Sequence, residues 1–300
     1  MKITAMGSLG NIGKPLTREL IKNGHAVTLI SSTAERKREI EAMGARAAIG
    51  TIMDTEFLKR AFDGSDAVYL MGIWEAMGSA MDDKVDFESG FIKMAHNYKK
   101  VLEQTGIKKI IYLSTIGAHT ANGIGALKYH HHVEQVLNRL PAAFLIKYMR
   151  PVGFYTNLLR SIPTIKAEGA IVQNFGGTAK EPWVAPLDIA HTIAREMGSE
   201  FKGREVRYIA SEEISAVEIA KTLGTAIGRP DLKWMTISDQ DMLNRMRSHG
   251  MNAELSKGFV EMQAAQRNGH LYKDYYHNRP EPGKVKFTEF AREFAEIYNQ

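Results

Sequence analysis

Three side chains able to move protons lie in the second quarter of the chain. Ser114 ends an apolar, strand-like run, and Tyr129 and His130 follow in a segment with helical periodicity. A phenol or an imidazole beside a strand-end hydroxyl can donate a proton to a carbonyl oxygen, and histidine titrates near neutral pH. Tyr129, His130 and Ser114 are therefore the candidate catalytic residues. The alternative for the histidine is an exposed position on the helix surface.

A glycine-rich loop near the N-terminus predicts that those side chains act beside a bound dinucleotide. Gly7, Gly10 and Gly13 are spaced Gly-x-x-Gly-x-x-Gly between a strand-like run and an amphipathic segment. Glycines permit a sharp strand-to-helix turn and let a pyrophosphate reach backbone N–H groups, while the helix N-terminus attracts the anion. An ordinary glycine-rich turn is the alternative. The residues predicted to hold a dinucleotide here are Gly7, Leu9, Gly10, Asn11, Ile12 and Gly13.

The end of the second predicted strand indicates which dinucleotide is bound. Ser31, Ser32 and Thr33 stand where an NAD site usually has a carboxylate, and Arg36 follows them. Hydroxyls and cations suit the 2′-phosphate of NADP, which a carboxylate would repel. The sequence therefore predicts NADP, with NAD as the alternative because Ser32 or Thr33 can instead cap a helix.

Alternating strands and helices up to about residue 150 predict a doubly wound α/β sheet. Strands are predicted at 3–6, 26–30, 46–49, 67–71, 109–114 and 143–149, and helices at 33–43, 54–62, 87–105 and 127–140. Short apolar strands separated by helical segments imply parallel pairing with helices on both faces. Ligands bind such sheets at the carboxyl ends of the strands. Met71, Gly72, Ser114 and Pro151 follow or end predicted strands, so we expect them to contact the cofactor.

The alternation breaks after Pro151, which predicts a second, smaller α+β lobe. The division places a dinucleotide-binding domain at residues 1–152 and the lobe at 153–300, with the chain recrossing between them. Helices are predicted at 154–162, 189–197 with Asp188 as the cap, 216–227, 242–266 and 288–298, and strands at 170–174 and 206–210. Residues 269–284 are predicted to form a polar aromatic loop over the cleft.

The composition excludes several kinds of chemistry. The 300 residues include no cysteine, which excludes thiol catalysis, cysteine-based zinc sites and disulfides. The consecutive histidines at 130–132 point about 100° apart on a helix, so we expect no metal site there. The net charge of +5 is spread along the chain, which favours a small anionic ligand over nucleic acid. With no signal peptide or membrane span, we expect a cytoplasmic monomer or homodimer.

Several segments together resemble the NmrA-like atypical short-chain dehydrogenases. The similar segments are the glycine loop, Leu113-Ser114-Thr115, 133–137, 149–158, 183–190 and 214–220, and the resemblance extends to about residue 237. It implies a Rossmann domain with a C-terminal substrate lobe and an NAD(P) cofactor, often NADP. In that arrangement Phe154, Tyr155 and Asn157 would face the substrate, as could Trp74, and core packing is the alternative for each.

Two departures from the resemblance bear on catalysis. Short-chain dehydrogenases usually carry Tyr-x-x-x-Lys, but the fourth position after Tyr129 is Val133. More active branches of the family carry a lysine four residues before the glutamate matched by Glu134, and this chain has His130 there. The leading prediction is an NAD(P)H-dependent oxidoreductase acting on a small carbonyl or quinone compound. A non-catalytic NAD(P)-sensing regulatory protein is the alternative, and a sugar-nucleotide epimerase, which needs the missing lysine, is disfavoured.

Overall fold

Strands and helices alternate regularly through the first half of the chain and less regularly through the second. A computed structural model describes residues 1–300. The strands are β1 (Lys2–Ala5), β2 (Ala26–Ser31), β3 (Arg46–Ile49), β4 (Ala67–Met71), β5 (Lys109–Leu113), β6 (Leu145–Pro151), β7 (Gly153–Phe154), β8 (Ala170–Gln173), β9 (Lys180–Val184), β10 (Arg204–Ile209), β11 (Glu212–Ser215) and β12 (Lys233–Thr236).

The helices follow the same numbering in chain order. They are α1 (Gly13–Lys22), α2 (Lys37–Ala42), α3 (Thr55–Phe62), α4 (Phe87–Thr105), α5 (Lys128–Leu137), α6 (Ile162–Glu168), α7 (Pro186–Gly198), α8 (Ala216–Ala226), α9 (Asp239–Ser248), α10 (Ala253–Arg267), α11 (Lys273–His277) and α12 (Phe287–Tyr298). Short 3₁₀ helices occupy Ala34–Arg36, Trp74–Ala76, Gly125–Leu127, Tyr155–Ser161 and His270–Tyr272.

Seven strands form one parallel sheet in the order β10-β6-β5-β4-β1-β2-β3. The strand order reverses at β1, and the crevice at such a reversal is where doubly wound sheets bind ligands. The predicted doubly wound sheet is therefore confirmed. The strand β10, from the second half of the chain, pairs with β6, so the chain returns to this sheet after leaving it. The helix α7 also comes from the second half and packs against α1.

Alternate residues of each inner strand are buried on opposite faces of the sheet. Ile3 and Tyr69 lie in the core on one face, while Val68 and Leu70 lie in the core on the other. Strands covered by helices on both sides must be apolar on both sides, which explains the nearly continuous apolar runs in the sequence. Burial on both faces keeps the strand ends, and the loops that leave them, in fixed positions.

The remaining elements of the second half form a lobe with its own core. In this lobe β9 pairs antiparallel with β11 and parallel with β7, and β8 pairs parallel with β12. Tyr155, Trp183, Phe287 and Phe290 are buried in the core of this lobe. The aromatic ring of Tyr155 stacks on Phe290 at 5.6 Å, so the 3₁₀ helix Tyr155–Ser161 is held against α12.

Two predictions about individual elements of the lobe are wrong. Residues 154–162, predicted as one helix, form the end of β7, the 3₁₀ helix Tyr155–Ser161 and the first residue of α6. Asp188 does not cap a helix, because α7 begins two residues earlier at Pro186. Its buried carboxylate instead accepts hydrogen bonds from the hydroxyl of Ser211 and the N–H groups of Lys284 and Val285. Asp188 thus fastens a later loop to α7.

Two further predictions near the C-terminus differ from the observed secondary structure. The helix predicted over 242–266 is divided into α9 and α10, and Gly250 between them has a φ of +81°, which ends the first helix. The segment predicted as a loop at 269–284 contains a 3₁₀ helix and α11, with Tyr272 and Tyr275 buried. The sequence also did not predict β7, β9, β11 or β12, which are short and pair with distant strands.

Candidate functional site

The loop between β1 and α1 is shaped by glycine. Gly7 has a φ of +94°, which L-residues with a side chain rarely adopt. A Cβ atom on Gly13 would lie 2.4 Å from the carbonyl oxygen of Ser8 and 2.7 Å from that of Gly7. No side chain fits between these backbone segments, so Gly13 permits the close approach of loop and helix.

This loop also presents donors that have no acceptor within the chain. The backbone N–H groups of Leu9, Asn11 and Ile12 donate to no other backbone group. The hydroxyl of Ser8 is buried and has no hydrogen-bond partner. Orphan donors at the N-terminus of a helix are suited to an anion, because the helix dipole adds positive potential there. The loop therefore fits the pyrophosphate of a dinucleotide.

The end of β2 leaves a hydroxyl and a cation free. The hydroxyl of Ser31 accepts a hydrogen bond from the N–H of Thr33 at 3.1 Å, which shapes the turn. Ser32 and Arg36 are exposed and form no hydrogen bond or ion pair through their side chains. A phosphate placed here would meet the Ser32 hydroxyl and the Arg36 guanidinium, which fits the 2′-phosphate of NADP.

The end of β4 connects the glycine loop to the predicted catalytic helix. The sulfur of Met71 lies 2.9 Å from the position that a Cβ on Gly7 would take. A Cβ on Gly72 would lie 3.3 Å from the Cε1 atom of His130. The carboxyl ends of β1 and β4 and the start of α5 are therefore brought to one edge of the sheet.

His130 is held by a tyrosine of β5. Its Nδ1 atom lies 2.8 Å from the hydroxyl oxygen of Tyr112, and its ring meets Phe91 edge-on at 5.6 Å. Burial among these groups lowers the pKa of His130 to about 4, so the imidazole is neutral at pH 7. The two following histidines bind elsewhere: His131 reaches the carbonyl of Ala118, and His132 reaches Glu88. The three rings do not converge.

The hydroxyl of Tyr129 is hydrogen-bonded to a carboxylate. It donates to Glu254 of α10, and the same carboxylate accepts from the N–H groups of Phe87 and Glu88 at 3.1 and 3.2 Å. The ring of Tyr129 packs 5.6 Å from Trp74. Burial, and then the Glu254 carboxylate, raise the pKa of Tyr129. As a result Tyr129 joins α5 to α10 and to the start of α4.

Ser114 is likewise bonded to a carboxylate. Its buried hydroxyl donates to Glu134 at 2.5 Å. The Arg150 guanidinium binds both oxygens of Glu134, at 2.7 and 3.0 Å. Arg150 also donates to Tyr208 and Asp274, which come from β10 and α11. Ser114 is therefore fixed at the end of a buried polar network that includes elements of the second half.

The predicted substrate residues divide into two groups. Tyr155 lines a cleft of about 180 Å³ together with Asn11 of the glycine loop, and Glu293 of α12 lies at the same cleft. Phe154, the residue before Tyr155, is half-buried, and Asn157 is exposed. Neither residue lines the cleft. Trp74 lies among Phe87, Phe91, Tyr129 and Phe259. A larger groove of about 300 Å³ lies at the amino ends of β1 and β2, away from all of these residues.

Three residues of the site were not predicted as site residues. The sequence predicts Tyr112 only as part of the strand at 109–114, although alternation along β5 places it on the same face as Ile110. Arg150 lies within the segment 149–158 of the family resemblance, which does not indicate its pairing with Glu134. Glu254 lies 125 residues after Tyr129, and no local pattern links the two. Pro151, predicted at the cofactor, is buried at the end of β6, where its carbonyl accepts from the N–H of Ile116 at 2.9 Å.

Comparison with known proteins agrees with this geometry. Residues 7–145 match the family described as NAD(P)H-binding. The chain is 23% identical over 265 residues to an NAD(P)H azoreductase of Xenophilus azovorans, which spans 87% of this chain and 86% of the relative. No helix of the chain is both long enough and apolar enough to span a bilayer.

Solved structures share the fold over nearly the whole chain. An NADPH-dependent quinone oxidoreductase of Escherichia coli, complexed with NADPH, superposes with a TM-score of 0.79 at 19% identity, covering 97% of this chain and 99% of that one. A triphenylmethane reductase of Citrobacter, complexed with NADP(H), superposes with a TM-score of 0.75 at 17% identity, covering 98% and 99%.

The family match begins at the first residue of the glycine loop and ends at the first residue of β6. It therefore includes β2 to β5 and the loop whose backbone donors lack acceptors. The prediction of an NAD(P) cofactor is therefore confirmed, and the chain has the Rossmann-like α/β fold of these solved structures.

Proposed function

We propose that this protein is an NAD(P)H-dependent oxidoreductase of the NmrA-like type that reduces a small quinone-like or carbonyl compound. The observation that carries the proposal is that Asn11 of the cofactor loop and Tyr155 of the second lobe line one cleft. A protein that only held the nucleotide would need no such cleft beside it. The reductase names of the azoreductase and quinone oxidoreductase relatives support the same class of substrate.

The residues of the chain have distinct proposed roles toward the cofactor. The N–H groups of Leu9, Asn11 and Ile12, with the Ser8 hydroxyl, would bind the pyrophosphate. The exposed side chains at the end of β2, Ser32 and Arg36, would bind the 2′-phosphate and favour NADPH over NADH. When bound, the reduced nicotinamide supplies the hydride, so the protein's task is to bind, orient and exclude water.

Among the predicted catalytic residues, we place His130 first, as the hydrogen-bond donor to the substrate oxygen. The hydroxyls of Ser114 and Tyr129 already donate to carboxylates, and each would have to exchange that partner before acting on a substrate. His130 has one nitrogen bonded to Tyr112 and the other without a partner in the chain. It can therefore hydrogen-bond a substrate oxygen without first breaking a bond.

Direct binding and turnover measurements test the proposal. Purified protein is titrated with NADPH, NADP⁺, NADH and NAD⁺ by fluorescence, and absorbance of the reduced nicotinamide is then followed with a panel of quinones, azo compounds and aldehydes. Tight NADPH binding with substrate-dependent oxidation supports the proposal. Absence of binding by every dinucleotide would contradict the role of the glycine loop.

A non-catalytic nucleotide sensor is the second candidate. The observation that favours it is that both predicted catalytic hydroxyls are bonded to the carboxylates of Glu134 and Glu254. A sensor would bind NADPH and NADP⁺ with different affinities and oxidise NADPH with no compound of the panel. The same titration and assay therefore separate the two candidates.

A further inference from the structure

The hydroxyl of Tyr112 has one hydrogen-bond partner in the chain, the Nδ1 atom of His130. The Tyr112 side chain is fully buried on β5, and its ring meets Tyr148 edge-on at 6.5 Å. Water does not reach a hydroxyl in this position, so its proton must find an acceptor inside the protein. A buried O–H that finds none is strongly disfavoured.

This restriction determines where His130 carries its proton. If Nδ1 were protonated, it would donate to Tyr112, and the phenolic proton would have no acceptor. If Nδ1 is unprotonated, Tyr112 donates to it and both groups are satisfied. A neutral imidazole has one N–H, so the proton then lies on Nε2.

The Nε2 atom lies at the carboxyl edge of the sheet. The adjoining Cε1 atom of His130 is 3.3 Å from the position of a Cβ on Gly72, the residue that follows β4. Nε2 forms no hydrogen bond within the chain, whereas Nδ1 does. The groups packed against the ring are Tyr112 from β5, Phe91 from α4 and the Gly72 backbone, none of which is charged at neutral pH.

We propose that Tyr112 is a positioning residue that fixes His130 as the neutral Nε2–H tautomer, so that His130 donates a hydrogen bond to an acceptor oxygen at the carboxyl edge of the sheet. The inference rests on the proposed function and deepens it. The acceptor belongs either to the cofactor's ribose or to the carbonyl of the substrate. A neutral imidazole N–H would thereby supply the hydrogen-bond donor, though not the charge, of the lysine that the family resemblance implies at this position.

The tautomer can be observed in the free protein. In protein labelled with ¹⁵N-histidine, long-range ¹H–¹⁵N correlation distinguishes a protonated from an unprotonated ring nitrogen, and His130→Asn identifies the signals of this ring. We expect Nε2 protonated and Nδ1 unprotonated at pH 7. We expect Tyr112→Phe to move both signals toward a mixture of tautomers. A matched control is Tyr148→Phe, which removes a buried hydroxyl from the next strand, where it binds Asn138 at 2.8 Å, and should leave them unchanged.

An Nε2 that is unprotonated in the wild-type protein would overturn the inference. So would His130 signals that are the same in wild type and Tyr112→Phe, with a thermal melt confirming that the variant is folded. Because these spectra need no substrate, they stand even if no compound is reduced and the proposed function fails.

Kinetics then identify the acceptor. Replacing the imidazole in His130→Phe deletes this hydrogen bond and predicts a three- to tenfold effect, on the order of 1 kcal/mol expressed as a ratio. Tyr112→Phe leaves part of the rings as the Nε2–H tautomer, so we expect a smaller effect on the same quantity. An increase of that size in the NADPH Kd places the acceptor on the cofactor. A decrease in kcat with an unchanged NADPH Kd places it on the substrate. If both quantities in His130→Phe stay within twofold of wild type and of Tyr148→Phe, the donor role is refuted.

Discussion

Replacing Arg150 with methionine should strongly destabilise the protein. The exposed fractions of Arg150 and Glu134 are only 6% and 3%, so the ion pair is removed from water. The guanidinium supplies two hydrogen bonds to Glu134, and without it the only side-chain donor left to that carboxylate is Ser114. Methionine has a similar length and leaves little empty volume. The lost free energy of unfolding therefore comes mainly from the missing positive charge and its hydrogen bonds.

The size of the effect follows from the burial. Leaving one partner of a buried ion pair without the other costs about 3–5 kcal/mol. Replacing both partners with apolar residues often restores stability, because neither charge then needs to be buried. We therefore expect Arg150→Met to lose about 3–5 kcal/mol, and Arg150→Met combined with Glu134→Leu to lie within about 2 kcal/mol of wild type.

Urea unfolding followed by circular dichroism measures these free energies. Arg207→Met is the matched control, because Arg207 pairs with Glu205 on the surface at 2.8 Å with 44% of its side chain exposed, where such a pair contributes less than about 1 kcal/mol. An Arg150→Met loss no larger than that of the control would refute the buried-pair argument. The argument would also be refuted if the double variant lost as much free energy of unfolding as Arg150→Met and Glu134→Leu lose in total when each is made alone.

Three further predictions concern the cofactor loop and pH. Gly13→Ala should weaken NADPH binding at least tenfold in a fluorescence titration, because its Cβ would lie 2.4 Å from the Ser8 carbonyl; unchanged affinity would contradict the loop geometry. Arg36→Ala should weaken NADPH about tenfold and NADH hardly at all, whereas Arg38→Ala should affect neither, and equal losses would exclude a 2′-phosphate contact. The pKa of His130 is lowered to about 4 from 6.5, so below pH 6.5 the unfolded chain binds a proton that the folded chain does not. The free energy of unfolding should therefore fall by up to about 2 kcal/mol between pH 7 and 5, and His130→Asn should lack that part of the fall.

The parts of the fold that the sequence predicts well are those with local signals. The predicted helix 87–105 and the observed α4 have the same bounds, because Asp86 caps its start through the N–H of Ser89 and Gly106 ends it at a φ of +71°. The predicted bounds of the inner strands lie within two residues of the observed ones, because burial on both faces gives a largely apolar run. The glycine loop likewise depends on neighbouring residues alone.

Elements that depend on distant partners could not be predicted in the same way. The strand β9 contains Pro182 and pairs with β7 and β11, so its five residues carry little strand signal of their own. The role of Asp188 depends on a loop almost 100 residues later, whose N–H groups bind its carboxylate. A strand-like or cap-like pattern identifies what a residue can do locally, but not which distant group will bind it.

The sheet edge that carries the predicted catalytic residues depends on the C-terminal half for the same reason. A Cβ on Gly125 would lie 1.9 Å from the carbonyl oxygen of Gly258, so only glycine lets α10 approach the start of α5 this closely. That approach brings the Glu254 carboxylate to the Tyr129 hydroxyl and to the first N–H groups of α4. The family resemblance in the sequence ends near residue 237, before α10 begins at Ala253. The residues that decide whether Tyr129 is available for chemistry therefore lie outside the recognisable part of the sequence, and only the folded chain reveals them.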